Sequence, residues 1–194
     1  MPLTRKQRLD DESWLAIWKM DEALDSIPRP RQIDLSQYKG QRLREKLTEY
    51  LLLGLLTGQD NLVIDHDNDG APMVEGFNIS ISHTKGWAAM ILSKSHRCGV
   101  DMEYISDRVN KIANRFMRDD EPQDTTTERL VNWCSKEAAY KYYHEQHLAL
   151  HEMRLLPFTP QNKGVACLEN MRQEERAHIH YEINEDFVLV FILE

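Results

Sequence analysis

Gly99-Val100-Asp101-Met102-Glu103 alternates apolar and acidic side chains with a period of two, which is the pattern of a strand. Further along, Trp133-Cys134-Ser135-Lys136-Glu137-Ala138-Ala139-Tyr140-Lys141 changes to the helical period, inside a strong helix expected over 128–147. Residues 165–168, 177–183 and 187–193 then read as three short strands of a meander. The first half repeats the mixture. Residues 14–20 form an apolar and aromatic strand, with a short helix and a proline break behind it. Tyr38, Leu43, Leu47, Tyr50, Leu51 and Leu55 recur at helical spacing from Ser36 to a stop at Gly58. Residues 61–65 are expected as a short strand, and 77–82 and 87–92 as a hairpin. Helices and strands therefore mix as α+β, in two halves, 1–98 and 99–194, each holding one long helix and several strands.

Composition narrows the classes. The chain has 194 residues, 41% of them hydrophobic, enough to build a core, and its 24 basic against 32 acidic side chains leave a net charge of −8. No overall footprint for nucleic acid follows from that balance, although local basic patches remain open. Three scattered cysteines, Cys98, Cys134 and Cys167, fit reduced thiols and a cytoplasmic location. The start carries positive charge without an apolar run behind it, and the densest apolar stretch, 51–56, is too short for a bilayer, so neither secretion nor membrane insertion is expected.

Three stretches carry chemistry. On a strand Asp101 and Glu103 share one face and Val100 and Met102 the other, so two carboxylates converge. Such a pair is stable when solvated or bridged by a cation, and hard Mg²⁺ prefers such oxygens together with phosphates. An exposed strand face would give the same pattern. On the helix, Trp133, Glu137 and Lys141 fall at i, i+4 and i+8, placing a carboxylate beside an ammonium, as a surface ion pair also would. Ile79-Ser80-Ile81-Ser82-His83-Thr84 ends a strand with hydroxyls and an imidazole where the chain turns, a place to grip a phosphate or to hold a structural histidine.

Taken in order, 77–84 (FNISISHT), 99–103 (GVDME), 115–121 (RFMRDDE) and 133–141 (WCSKEAAYK) resemble the 4'-phosphopantetheinyl transferase superfamily, in its longer, pseudo-dimeric, surfactin-synthetase-activating group. The resemblance runs from the strand at 14–20 through the helix ending near His147, and loosens after residue 150. It implies two similar α+β halves packed as an intramolecular pseudo-dimer, with coenzyme A in the cleft between them. It also implies that Asp101, Glu103 and Glu137 are the magnesium ligands and Lys141 the phosphate-contacting lysine, with Ser82 and His83 at coenzyme A-binding positions. A carrier-protein serine would attack the pyrophosphate of coenzyme A and leave adenosine 3',5'-bisphosphate. Glu137 would be the base, directly or through a metal-bound water, Lys141 would neutralise the leaving group, and Asp101 completes the catalytic set.

The chain departs from the family pattern at the nucleotide end. Gly70-Ala71-Pro72 stands where relatives commonly have Gly-Lys-Pro, and Tyr50 aligns with a frequent arginine. Arg42, Arg44 and Lys46 could substitute, within a basic stretch that also holds Arg29, Arg31 and Lys39 and that reads equally as a solvated helix face. Arg108 and Lys111 are expected to dock an acidic apo carrier of fatty acid, polyketide or nonribosomal peptide synthesis, and Arg115 and Phe116 to support the fold. The expected enzyme is a monomeric, cytoplasmic, Mg²⁺-dependent transferase that binds neither nucleic acid nor membrane. The rival keeps the fold and the binding of coenzyme A or carrier protein but has no turnover, as the Ala71 and Tyr50 departures would allow.

Two further patterns mislead. Asp65-His66-Asp67-Asn68-Asp69-Gly70 imitates a calcium loop, but Gly76 stands at its twelfth position, so a polar hairpin turn is expected. His144, His147 and His151 lie at helical spacings, yet His144-Glu145-Gln146-His147 lacks the spacing of a zinc motif, so surface histidines are expected.

Overall fold

The computed structural model describes residues 3–194. The chain divides into two compact units, 1–96 and 97–194. The first contains β1 (Leu3–Arg8), β2 (Ser13–Lys19), α1 (Gly40–Thr57), β3 (Asp65–His66), β4 (Pro72–Met73), β5 (Asn78–Thr84) and β6 (Trp87–Ser93). The second contains β7 (Cys98–Tyr104), α2 (Arg108–Ile112), α3 (Thr126–Tyr142), β8 (Met153–Leu155), β9 (Lys163–Asn170), β10 (Glu175–Ile183) and β11 (Phe187–Leu193). Short 3₁₀ turns at Leu24–Ser26, Ala113–Arg115, His144–Gln146 and Leu150–Glu152 link them. The mixture of helix and sheet is the α+β class expected. Among the described residues no helix is long and apolar enough to cross a membrane.

The first unit is an antiparallel sheet in the order β1-β2-β6-β5. β2 pairs with β6 through Ala16↔Met90, and β6 with β5 through Met90↔Ile81, which aligns the apolar side chains of three strands on one face. α1 lays Leu52, Leu53 and Leu56 on that face, over Ala16, Met90, Leu92 and Ile79. Gly58 ends α1 in the left-handed region at φ 72°, and its N–H returns to Gly54 O at 2.8 Å, the conformation that glycine adopts without steric cost. A side cluster of Ile27, Leu35, Leu43 and Leu47 fixes the other end of the helix.

Residues 61–65 form no strand beyond β3, because the Ile64 N–H donates to the Tyr50 hydroxyl at 3.1 Å and ties the segment to α1 instead of to a ladder. The acidic turn after β3 is the expected hairpin. Asp67 N–H donates to Ala71 O, and Asp67 Oδ1 accepts from the amides of Asp69 and Ala71, closing the turn between β3 and β4.

The second unit is a five-stranded antiparallel sheet, β7-β11-β10-β9-β8. α3 covers one face, where Leu130, Val131, Ala138 and Ala139 meet Val188, Val190, Ile192, Ile179 and Leu168. The helix begins with a capping box: Thr125 Oγ1 accepts from Glu128 N–H, and the Glu128 carboxylate accepts from Thr125 N–H at 2.9 Å. It ends at Tyr142, short of the expected His147, since His147 turns to φ 48° after a 3₁₀ turn.

Two features fix how closely α3 sits on β7. At Gly99 an added Cβ would stand 2.1 Å from Ala138 O and 3.0 Å from Tyr142 Cβ, so only glycine lets the helix approach. At the other end, the fully buried Lys136 Nζ donates to Glu121 at 2.7 Å and to Phe116 O at 2.6 Å. Glu121 in turn accepts from the amides of Arg118 and Leu155, so one buried ion pair ties α3 to the 116–121 segment and to β8. Phe116 is wholly buried and meets Trp133 edge-on at 5.1 Å, supporting the fold as expected, whereas Arg115 is exposed and takes no part in the core.

Candidate active site

β7 carries the first site residues. Its alternation turns Gly99, Asp101 and Glu103 toward α3 and Val100 and Met102 to the far face, as the sequence pattern requires. α3 answers with Cys134, Glu137 and Lys141, three and four residues apart and so stacked along one side of the helix. Lys141 Nζ donates to Asp101 Oδ1 at 2.8 Å and to Val100 O at 2.8 Å, which holds an ammonium at the strand. Burial first, and then the Asp101 charge, push the Glu137 carboxyl above its usual range, and Lys141 draws it back. Glu103 lies further along the strand, where its Oε1 accepts from Tyr104 N–H at 3.0 Å.

The structure therefore brings Asp101, Glu137 and Lys141 within one another's electrostatic reach, and the charges of Asp101 and Glu103 both reach Cys134 beside them. Among the described residues no group of three or more His, Cys, Asp or Glu side chains is gathered closely enough to hold a metal ion. The three carboxylates expected as ligands thus share a face without forming a closed cage, and His144, His147 and His151 form no cage either. The chemistry of the donors nonetheless suits a hard divalent cation. Asp101, Glu103 and Glu137 offer carboxylate oxygens alone, the donor type that such a cation prefers.

Cys134 was legible by spacing, three residues before Glu137, yet nothing in the sequence set it apart from a core thiol. Wholly buried, it bonds to Asp101, and burial followed by the Asp101 and Glu103 charges push its thiol well up. It is a packing and hydrogen-bonding partner of the carboxylates.

In the first unit, successive residues of β5 point to opposite faces, so Ser82 and His83 diverge. Ile79, Ile81 and His83 face α1 while Ser80 and Ser82 occupy the other side, and the expected grip of both residues on one phosphate is divided between two faces. His83 Nε2 is buried without a hydrogen bond, 3.6 Å from Glu49 Oε1. Glu49, itself buried on α1, accepts from Lys46 Nζ at 2.8 Å through its other oxygen. Burial lowers the pKa of the His83 imidazole, and the Glu49 charge pulls it partly back. Glu49 escaped the sequence reading because it sits in a polar, charged stretch of the helix, 44–50, where its i, i+3 spacing to Lys46 reads as an ordinary surface pair.

The other expected nucleotide contacts fare unequally. Arg44 Nη1 donates to Glu22 O across a loop, and Arg42, with 58% of its side chain exposed, pairs with Glu45 at 3.2 Å. Of the second basic group, Arg118 is held by Asp120 at 2.7 Å and by His151 O, so it serves the fold, while Arg108 and Lys111 stay exposed on α2.

The second unit thus holds an ammonium and a buried carboxylate, Lys141 and Asp101, where a strand meets a helix, with Glu137 half-buried beside them. Residues 97–192, nearly the whole second unit, match the family model of the 4'-phosphopantetheinyl transferase superfamily. No curated protein matches the chain.

Proposed function

We propose that this protein transfers the 4'-phosphopantetheine arm of coenzyme A to a serine of an apo acyl or peptidyl carrier protein. The observation that carries the reading is the Asp101–Lys141–Glu137 group, lying within the stretch that the family model matches. In the reaction the serine oxygen forms a bond to the phosphorus that bears the pantetheine, the bond from that phosphorus to the bridging pyrophosphate oxygen breaks, and adenosine 3',5'-bisphosphate leaves. Glu137 receives the serine proton, directly or through a metal-bound water. Lys141, aimed by Asp101 and by Val100 O, offsets charge on the departing bisphosphate. Asp101, Glu103 and Glu137 would hold Mg²⁺, which when bound supplies positive charge to the pyrophosphate oxygens.

In this reading His83, Arg42 and Arg44 meet the nucleotide end of coenzyme A, Ser82 on the opposite face of β5 does not share that contact, and Arg108 and Lys111 meet an acidic carrier. In this reading the protein acts as a cytoplasmic monomer. The duplication of one α+β design is part of the same reading, supported by each unit's being an antiparallel sheet that carries one long helix.

The test follows adenosine 3',5'-bisphosphate by chromatography in mixtures of the protein, coenzyme A, Mg²⁺ and apo carrier. Release that needs the carrier serine is expected. Release that persists with a serine-to-alanine carrier would mean hydrolysis, and no release with any apo carrier would remove the transferase reading.

A further inference from the structure

The second sheet carries a pair of histidines for which the transferase reading has no use. Side chains alternate along β10, and since Ala177, Ile179 and Tyr181 pack into the core that α3 covers, His178 and His180 stand together on the opposite face. Two residues along one strand face are roughly 7 Å apart at the backbone. His178 is oriented by a carboxylate: Glu194 Oε1 lies 2.8 Å from its Nδ1 and also accepts from its backbone N–H at 3.0 Å. With the Nδ1 proton directed at Glu194, the neutral ring keeps its lone pair on Nε2, and 70% of the side chain is exposed. His180 is oriented by a ring, stacking on Phe191, its partner in the β10–β11 register, at 4.9 Å and 9°. Burial first, and then the His178 charge, lower the His180 pKa, so this imidazole too is neutral at neutral pH.

We infer that His178 and His180 form a chelating site for a borderline divalent transition cation such as Zn²⁺, with Glu194 as the carboxylate that orients His178. Two imidazoles on one strand face can lean together and each bring a nitrogen to about 2 Å from a single ion. A carboxylate on the far ring nitrogen fixes the tautomer and raises the basicity of the ligating one, which is the part that Glu194 plays toward His178. Imidazole nitrogen suits such cations, whereas Mg²⁺ prefers oxygens like those of Asp101, Glu103 and Glu137, so the two sites differ in donor as well as in position. The pair is a two-donor chelate with water in the remaining positions, in keeping with the absence of a three-donor cluster among the described residues. Cys167, opposite His178 in the β9–β10 register, is its nearest alternative donor on that face.

The experiment titrates Zn²⁺ into the protein by calorimetry in excess Mg²⁺, which competes for the carboxylate oxygens elsewhere. Zn²⁺ binding is expected, with His178→Ala and His180→Ala each raising its Kd by more than about tenfold and Glu194→Gln by about tenfold. Cys167→Ser, and His144→Ala as a control away from β10, should leave the Kd near that of the unaltered protein. No Zn²⁺ binding, binding that both histidine variants leave unchanged, or its loss in Cys167→Ser overturns the inference. Should a histidine variant fail to show native circular dichroism, the imidazole proton resonances of the unaltered protein decide. Both His178 and His180 shift with Zn²⁺ if the pair chelates, and anything less than both overturns the inference. The transferase reading stands or falls separately, since none of these residues belongs to it.

Discussion

Lys141 and Asp101 are each useful because of the other. An ammonium pinned to a strand carboxylate and a backbone carbonyl is already oriented before any phosphate arrives, which is how electrostatic catalysis avoids reorganisation during the reaction. Asp101→Ala or Glu137→Gln should therefore lower transfer by about a hundredfold or more while the circular dichroism and the Kd for coenzyme A stay near native. Near-normal turnover in either variant would remove these residues from the chemistry. Each side of the site was legible beforehand, since period two placed Asp101 and Glu103 together and period 3.6 placed Glu137 near Lys141, but the bond between Lys141 and Asp101 was not. What could not be read was the direction of hydrogen bonds. Glu103 bends to its neighbour's amide and Glu49 faces His83, choices set by tertiary distances that no spacing along the chain contains.

At the scale of elements, the site depends on how α3 meets β7. Gly99→Ala introduces a methyl against the Ala138 carbonyl, so the helix must shift, at about 1–3 kcal/mol in urea unfolding, with a matching fall in kcat as Lys141 leaves Asp101. The buried Lys136–Glu121 pair anchors the other end. Lys136→Met strands a buried carboxylate and should cost about 3–5 kcal/mol. Adding Glu121→Leu should restore little, because the Arg118 and Leu155 amides then lose their acceptor. Full recovery of the urea midpoint in the double variant would show that the pair does not serve those amides. The capping box at Thr125 and Glu128 was a readable start signal for α3 and corrects the expected first residue. β1 was hidden by its polar sequence, as edge strands facing water often are, and β8 by its three-residue length.

Across the whole molecule, charge sets both acid stability and partner choice. Hydrogen bonds from Arg118 hold Asp120 at about 2, and Arg154 and then Arg176 hold Glu169 below its usual range. Folded values below the unfolded ones mean that this stabilisation is complete above about pH 5 and is lost as pH falls toward about 2. The urea midpoint should accordingly be flat from neutral pH to about pH 5 and drop below about pH 4, and a midpoint that rises on acidification would refute the sign. A chain with net charge −8 needs a local basic surface to meet an acidic carrier. Replacing Arg108 and Lys111 by glutamate should lower kcat/KM for the carrier by about tenfold at low salt, less at high salt, with kcat at saturating carrier unchanged. The most direct test of the central claim is the intact mass of an apo carrier incubated with the protein, coenzyme A and Mg²⁺, with EDTA and Glu137→Gln controls. The account predicts the mass gain of one phosphopantetheine, abolished in both controls; an undiminished gain with Glu137→Gln, or none on any apo carrier, would contradict it.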